Sequence, residues 1–159
     1  EMPLAMTPCD MTALVREALT SLGRIPDQCP VTYDAPADPL AVSCDRTVIR
    51  RVIANLVGNA VKFTPTEGVV RVTAAAEGAH VRVTVSDTGP GIPPEYHEKV
   101  FQKFGQADAR NAGKLASTGL GLTFCKLAIE AHGGRIGLNS AAGKGSTFWF
   151  VVPVALPGK

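Results

Sequence analysis

The sequence predicts an α+β domain, one sheet covered on one face by helices. Apolar residues recur at helical spacing in three segments, apolar and polar residues alternate in others, and glycine-bearing turns join alternating segments in pairs. Residues 10–22 carry Leu14, Val15, Ala18 and Leu19 at helical spacing before Gly23 and Pro26 break the pattern. Residues 31–34 and 41–44 suit short strands on either side of a turn between Pro36 and Pro39. Asp45 is an N-cap for a second helix with the apolar stripe Ile49, Val52, Ile53, Leu56, Ala60 and Phe63. Two alternating strands follow, 69–76 and 80–87, and the short connection through Gly78 predicts a hairpin. Leu122, Cys125, Leu127, Ala128 and Ile129 give a third helix that stops at His132-Gly133-Gly134. Residues 134–140 and 147–153 make a second hairpin through the turn at 143–145. No internal repeat or low-complexity segment interrupts this order.

Composition narrows the class. A chain of 159 residues with 45% hydrophobic content supports one substantial core. A net charge of +2 gives no reason to expect nucleic acid or an anionic membrane as a partner. No apolar run approaches the ~20 residues that span a bilayer, and no signal-peptide pattern is present. Cys9, Cys29, Cys44 and Cys125 lack metal-ligand spacing, which predicts reduced, buried thiols and a cytoplasmic location.

Three short motifs carry chemistry. On the second helix Arg51, Asn55, Asn59 and Lys62 share the face opposite the apolar stripe. Asn competes with the backbone for hydrogen bonds and is a mediocre helix former. Two of them are therefore either solvated amides or a face that holds a metal and phosphates. The strand 80–87 ends abruptly at Asp87-Thr88-Gly89-Pro90-Gly91. A carboxylate fixed at a strand end beside Gly-X-Gly offers an acceptor to an exocyclic amino group, next to a backbone that a flat ligand can approach. An ordinary turn leaving a strand uses the same residues. Gly119-Leu120-Gly121 opens the third helix, where unencumbered backbone amides can bind phosphate oxygens. Alone, that cluster equally suits a flexible loop; the three motifs in this order are far more specific.

In that order the chain resembles the ATP-binding catalytic domain of bacterial two-component sensor histidine kinases, within the superfamily that also holds gyrase-type ATPases, Hsp90 chaperones and MutL repair proteins. The resemblance covers roughly residues 10–153. Asn55 through Lys62 match the family's N box, Asp87 through Gly91 its G1 box, Phe101 through Phe104 its F box and Gly119 through Gly121 its G2 box. The turn Gly143-Lys144-Gly145-Ser146-Thr147 stands before the last strand, as in the family. The resemblance implies the two-layer α/β sandwich of the Bergerat fold, with a mixed, mostly antiparallel sheet. It divides the chain into a residual linker at 1–9, the catalytic domain at 10–155 and a tail at 156–159. It also implies that the chain follows a helical hairpin domain in its parent.

The implied cofactors are ATP and Mg²⁺. Asn59 would give its amide oxygen to magnesium, a hard ligand of the kind this ion prefers, and Asn55 would contact phosphate or the metal's shell. Lys62 would sit near phosphates or ribose, and Phe63 would pack against the purine. Asp87 would accept from the adenine amine, with Thr147 nearby on the closing strand. Gly89, Gly91, Ile92, Phe104, Thr118, Gly119, Leu120, Gly121 and Leu122 complete the nucleotide-contacting set. Arg110 or Lys114 is a candidate for the terminal phosphate, and residues 102–117 are expected to be the ATP lid. Phe101 and Phe104 either lock that lid or anchor the core. Ser117 and Gln102 depart from the family's common pattern at positions away from the expected ligands.

Members of the superfamily that hydrolyse ATP carry Glu four residues before the metal-binding Asn. Here Asn55 stands in that place, and its amide cannot take a proton from water. Transfer to a nucleophilic histidine imidazole is thereby favoured over hydrolysis. The expected partners are the dimerisation and phosphotransfer hairpin of the parent kinase and, downstream, a response regulator receiver domain. No nucleic acid or membrane contact is expected of the domain. The three histidines, His80, His97 and His132, do not sit in a phosphoacceptor pattern, and His132 is expected to cap a helix. The alternatives are an ATP-hydrolysing switch and a catalytically inactive nucleotide-binding scaffold.

Overall fold

A computed structural model describes residues 3–22, 30–64, 68–89, 91, 101, 121–140 and 145–154. Among them the order of elements is β1 (Thr7–Asp10), α1 (Met11–Ser21), β2 (Val31–Asp34), β3 (Ala41–Cys44), α2 (Arg46–Phe63), β4 (Val70–Glu77), β5 (His80–Asp87), α3 (Gly121–Ala131), β6 (Arg135–Ser140) and β7 (Ser146–Pro153). Five strands form one sheet in the order β2-β4-β5-β7-β6. Only β2 runs parallel to its neighbour, so the sheet is mixed and mostly antiparallel, as the resemblance implies. Both hairpins form as expected, β4 with β5 and β6 with β7.

The first two helices start where the sequence supplies a cap. Asp10 accepts from Thr12 N–H at 3.0 Å to open α1, and Asp45 accepts from Val48 N–H at 3.1 Å to open α2. The α3 helix ends at Gly133-Gly134, where the Gly134 N–H bonds back to Ile129 O at 3.0 Å.

Alternation along the strands separates the two faces of the sheet. Val81, Val83, Val85 and Asp87 of β5 are buried, while Arg82, Thr84 and Ser86 lie on the more open side. The buried face meets Leu14, Val15 and Ala18 of α1, Ile49, Val52, Ile53, Leu56 and Ala60 of α2, and Leu122, Cys125, Ala128 and Ile129 of α3 in one core. Phe148 and Phe150 of β7 are the largest fully buried side chains. Truncating Ile53 or Leu56 to Ala would cost about 2–5 kcal/mol through lost transfer energy and the cavity left behind. On the open face Arg82 lies 4.6 Å over the Trp149 ring and makes two 2.8 Å bonds with Glu77.

Two details differ from the expectations above, and a third settles an alternative left open there. Residues 7–9, expected in a linker, belong to β1, which pairs antiparallel with β3 in a separate two-stranded sheet. So short a segment, containing Pro8, has no period of its own and becomes a strand because β3 is beside it. A bridge between Val42 and Val154 ties that small sheet to the end of β7. Leu127 does not belong to the buried stripe of α3: it is 56% exposed. Lying two residues beyond Cys125, it falls ~200° further round the helix. Phe101 takes the core-anchor role, buried with its ring 6.0 Å from that of Phe148 at 83°.

Candidate functional site

The end of β5 and the start of β7 build one wall. Asp87 is the last residue of β5, only 9% exposed, and pairs in register with Val70 on one side and Ser146 on the other. Its Oδ1 accepts from the Gly89 N–H at 2.9 Å, so the turn that follows the strand orients the carboxylate. A carboxylate oxygen has further acceptor capacity beyond one such bond. Thr88 stitches the same turn to the start of β4: its Oγ1 accepts from Val69 N–H at 2.9 Å and its N–H donates to Val69 O at 3.3 Å.

Two glycines keep this wall thin. Gly91 has φ +79° and Gly145 has φ +77°, backbone conformations that L side chains rarely adopt. A Cβ on Gly145 would also sit 2.1 Å from the Asp87 carbonyl oxygen. The strand ends touch backbone to backbone there, and only glycine permits it.

Register separates two neighbouring hydroxyls. Thr147 pairs with Ser86, and the two hydroxyls lie 2.9 Å apart on the face away from Asp87. Ser146, 3% exposed, is the residue opposite Asp87 on the helix side of the sheet. Thr147, the hydroxyl expected near the base, thus lies on the face opposite the Asp87 carboxylate, and Ser146 lies on the same face as it. Counting alternate residues back from the buried Phe150 and Phe148 would have found it.

The second part of the site is the exposed flank of α2. Asn55, Asn59 and Lys62 follow one another at helical spacing, Asn59 about 6 Å along the axis from Asn55. Both amides are half-buried and Lys62, in the last turn, is exposed. The first turn of α3 lies against this flank, because a Cβ on Gly121 would be 3.9 Å from Asn55 Nδ2. A clasp holds the two helices at that spacing. The Arg51 guanidinium stacks 4.3 Å over the Phe124 ring, and the Cys125 thiol donates to Val52 O at 3.7 Å. Burial pushes the Cys125 thiol up to about 12, so it serves as a packed donor and not as a nucleophile.

The sequence thus brings together Asn55, Asn59 and Lys62 on α2 with Gly121 and the buried Leu122 on α3, and sets Asp87, Gly89 and Gly91 at the strand end. Ile92, Phe104, Thr118, Gly119 and Leu120 lie outside the described residues, as do Arg110, Lys114, the expected lid and the side chain of Phe63. The arrangement fits a magnesium nucleotide in its chemistry. The amides offer hard neutral oxygens, Gly121 opens a helix with no side chain in the way, and a buried carboxylate stands in a glycine-walled turn. Among the described residues no three His, Cys, Asp or Glu side chains gather to hold a metal.

A mixed sheet covered on one face by helices, with an amide-bearing helix beside a glycine-opened one, defines a Bergerat-type ATP-binding domain. Residues 44–156 match the family of histidine kinase-, DNA gyrase B-, and HSP90-like ATPases, and the chain belongs to it. It is 35% identical over 159 residues to the sensor histidine kinase TmoS of Ectopseudomonas mendocina, covering 99% of this chain and 16% of that protein. The chain therefore spans about a sixth of the length of that relative. Among solved structures, full-length ShkA in complex with AMPPNP superposes with a TM-score of 0.81 at 32% identity, covering 99% of this chain and 33% of that one. Histidine kinase ThkA, in complex with the response regulator TrrA, superposes with a TM-score of 0.73 at 30% identity over 97% of this chain and 43% of that one.

Proposed function

We propose that this domain binds Mg-ATP and donates the γ-phosphoryl group to a histidine on a separate dimerisation and phosphoacceptor domain, as a step of two-component signalling. The observation that carries the proposal is the meeting of Asn55 with Gly121. It puts the amide flank of α2 against the opening of a helix, where phosphate oxygens are stabilised by backbone N–H groups and the helix dipole.

Asp87 accepts from the amino group of adenine, and Ser146 beside it takes the place first given to Thr147. Asn59 is the metal-holding residue, Asn55 orients the phosphates from one turn away, and Lys62 supplies a cation at the outer end of the flank. When bound, magnesium supplies charge neutralisation on the transferring group. Asn55 cannot act as a base toward water, so the domain's own contribution to transfer is positioning and electrostatic stabilisation. The acceptor imidazole is nucleophilic without help from a strong base here. ShkA was solved with a non-hydrolysable ATP analogue and ThkA with a response regulator, and both support reading this domain as one part of such a relay.

Calorimetric titration with AMPPNP, with and without magnesium and beside a GTP analogue, tests the reading. Selective binding of the adenine nucleotide that tightens with magnesium is expected, and Asn59→Ala should abolish the tightening. Absence of binding under every condition would refute the proposal. A kinase assay with a cognate hairpin domain then separates transfer from simple binding.

A further inference from the structure

Outside the site just described, one buried titratable side chain joins three parts of the chain. His132 follows the last turn of α3 and is 5% exposed. Its Nε2 accepts from the Asp45 N–H at 3.0 Å, so Nδ1 carries the ring proton and donates to the Ala128 carbonyl at 2.7 Å. The ring therefore holds the end of α3 with one nitrogen and the residue that caps α2 with the other. Asp45 in turn uses both carboxylate oxygens. Oδ1 accepts from Val48 N–H at 3.1 Å inside α2, and Oδ2 accepts from Ala5 N–H at 2.9 Å, in the segment leading into β1.

We propose that His132 is a positioning residue, and that the chain Ala5–Asp45–His132 couples the leading segment of the domain to the two helices that bear the nucleotide. The α2 helix carries Asn55 and Asn59, and α3 begins at Gly121 against Asn55. A displacement of residues 3–6 reaches Asp45 through Ala5 and is divided there between the start of α2 and, through the imidazole, the end of α3. Both helices are rigid elements clasped by Arg51–Phe124 and Cys125–Val52, so a shift at these ends is carried to the other end of the clasp. Whatever pulls on the polypeptide ahead of residue 3 acts through this junction on the spacing between amides and glycine. Linkage makes the effect reciprocal: bound nucleotide must alter the hold on Ala5.

Amide hydrogen exchange resolved residue by residue tests the coupling in two arms. The first needs no nucleotide. His132→Phe removes the acceptor from the Asp45 N–H, which should exchange about tenfold faster for the loss of one ordinary hydrogen bond. The Ala5 N–H, which the ring does not touch, should also exchange faster. His132→Gln, whose side-chain oxygen can accept in place of Nε2, should restore both. If His132→Phe does not fold, Ala5→Pro replaces it: deleting that single donor in an exposed segment should speed exchange at Asp45. Faster exchange at Asp45 alone in His132→Phe, or none at Asp45 in Ala5→Pro, would show that no coupling passes through the junction.

The second arm rests on the proposed nucleotide site. Saturating AMPPNP should slow exchange at Ala5 and Asp45 severalfold in the parent chain and in His132→Gln, but not in His132→Phe. Binding measured by calorimetry without any change at those two amides would overturn the link to the nucleotide helices. Absence of calorimetric binding would refute the nucleotide reading instead, and the first arm would still decide the junction.

Discussion

The two ends of the candidate site are built by different means. At the sheet end, Asp87 and Ser146 are buried, fixed by strand register, and confined by a backbone contact that only glycine allows at Gly145. At the helix end, Asn55, Asn59 and Lys62 are partly or largely exposed and placed by the turn of α2 and its clasp with α3, with no strand register to hold them. One end has little freedom to adapt, which suits recognition of a flat base by shape and one polar contact. The other presents side chains that can follow phosphates and an ion. Substitutions at the sheet end should therefore damage structure and binding together, whereas those at the helix end should alter ligand response with little loss of stability.

The largest effect is expected at Gly145. Gly145→Ala must relieve a Cβ placed 2.1 Å from the Asp87 oxygen and also adopt φ +77°, where left-handed backbone alone costs about 1–2 kcal/mol for a side-chain-bearing residue. The strand ends must separate, and urea denaturation should show a loss above that strain together with loss of nucleotide binding. A stable variant with parental affinity would break the contrast between the two ends. Asp87→Asn comes next. It keeps the size of the side chain but turns one acceptor into a donor, and should weaken adenine-nucleotide binding by ~1–3 kcal/mol with a smaller effect on stability. Asn59→Ala, at the helix end, should leave the denaturation midpoint nearly unchanged while removing the benefit of magnesium.

That contrast also explains what could be read from the sequence. The helix end was legible because a period of 3.6 places Asn55, Asn59 and Lys62 on one face before any tertiary contact is known, and Asp45 announces the start of the helix. Both hairpins were legible from alternation and glycine turns. What was missed depends on pairing. β1 exists because β3 lies beside it, and β2 joins β4 in parallel although nothing in 31–34 dictates a direction. Thr147 is given a site role from the sequence and Ser146 is not, because only register shows which of two adjacent hydroxyls shares the face of Asp87, and a one-residue difference reverses the face. The approach of Gly121 to Asn55 is a contact between segments far apart in sequence, and only the family's motif order hinted at it.

The register difference gives a sharper, smaller test. Ser146→Ala should weaken adenine-nucleotide binding by about 1 kcal/mol, the usual worth of one hydrogen bond. Thr147→Ala removes a hydroxyl that meets Ser86 at 2.9 Å on the other face, and should leave affinity unchanged. Equal losses in the two variants would mean that the ligand does not approach from the helix side at all.

The smallest effect concerns acid. The Ala5 N–H, with those of Val48 and Thr47, holds the Asp45 carboxyl below the usual carboxylate range against the opposing pull of desolvation. A folded-state value below the unfolded one means that the ionised carboxylate contributes stability above the unfolded pKa of about 3.9 and loses it as pH falls through the folded value. Asp45→Asn keeps one side-chain oxygen for the cap, puts a donor where Oδ2 accepts from Ala5, and gives up the charge at the start of α2, a charge worth about 0.3–1 kcal/mol at an exposed helix end. The variant should therefore be slightly less stable than the parent at neutral pH, and the two should converge as the solution is acidified below about pH 4. Urea midpoints measured down that acid limb would show it. A gap that stays constant with pH would mean that the charge on Asp45 is irrelevant and that geometry alone makes the cap, as geometry alone makes the sheet end of the site.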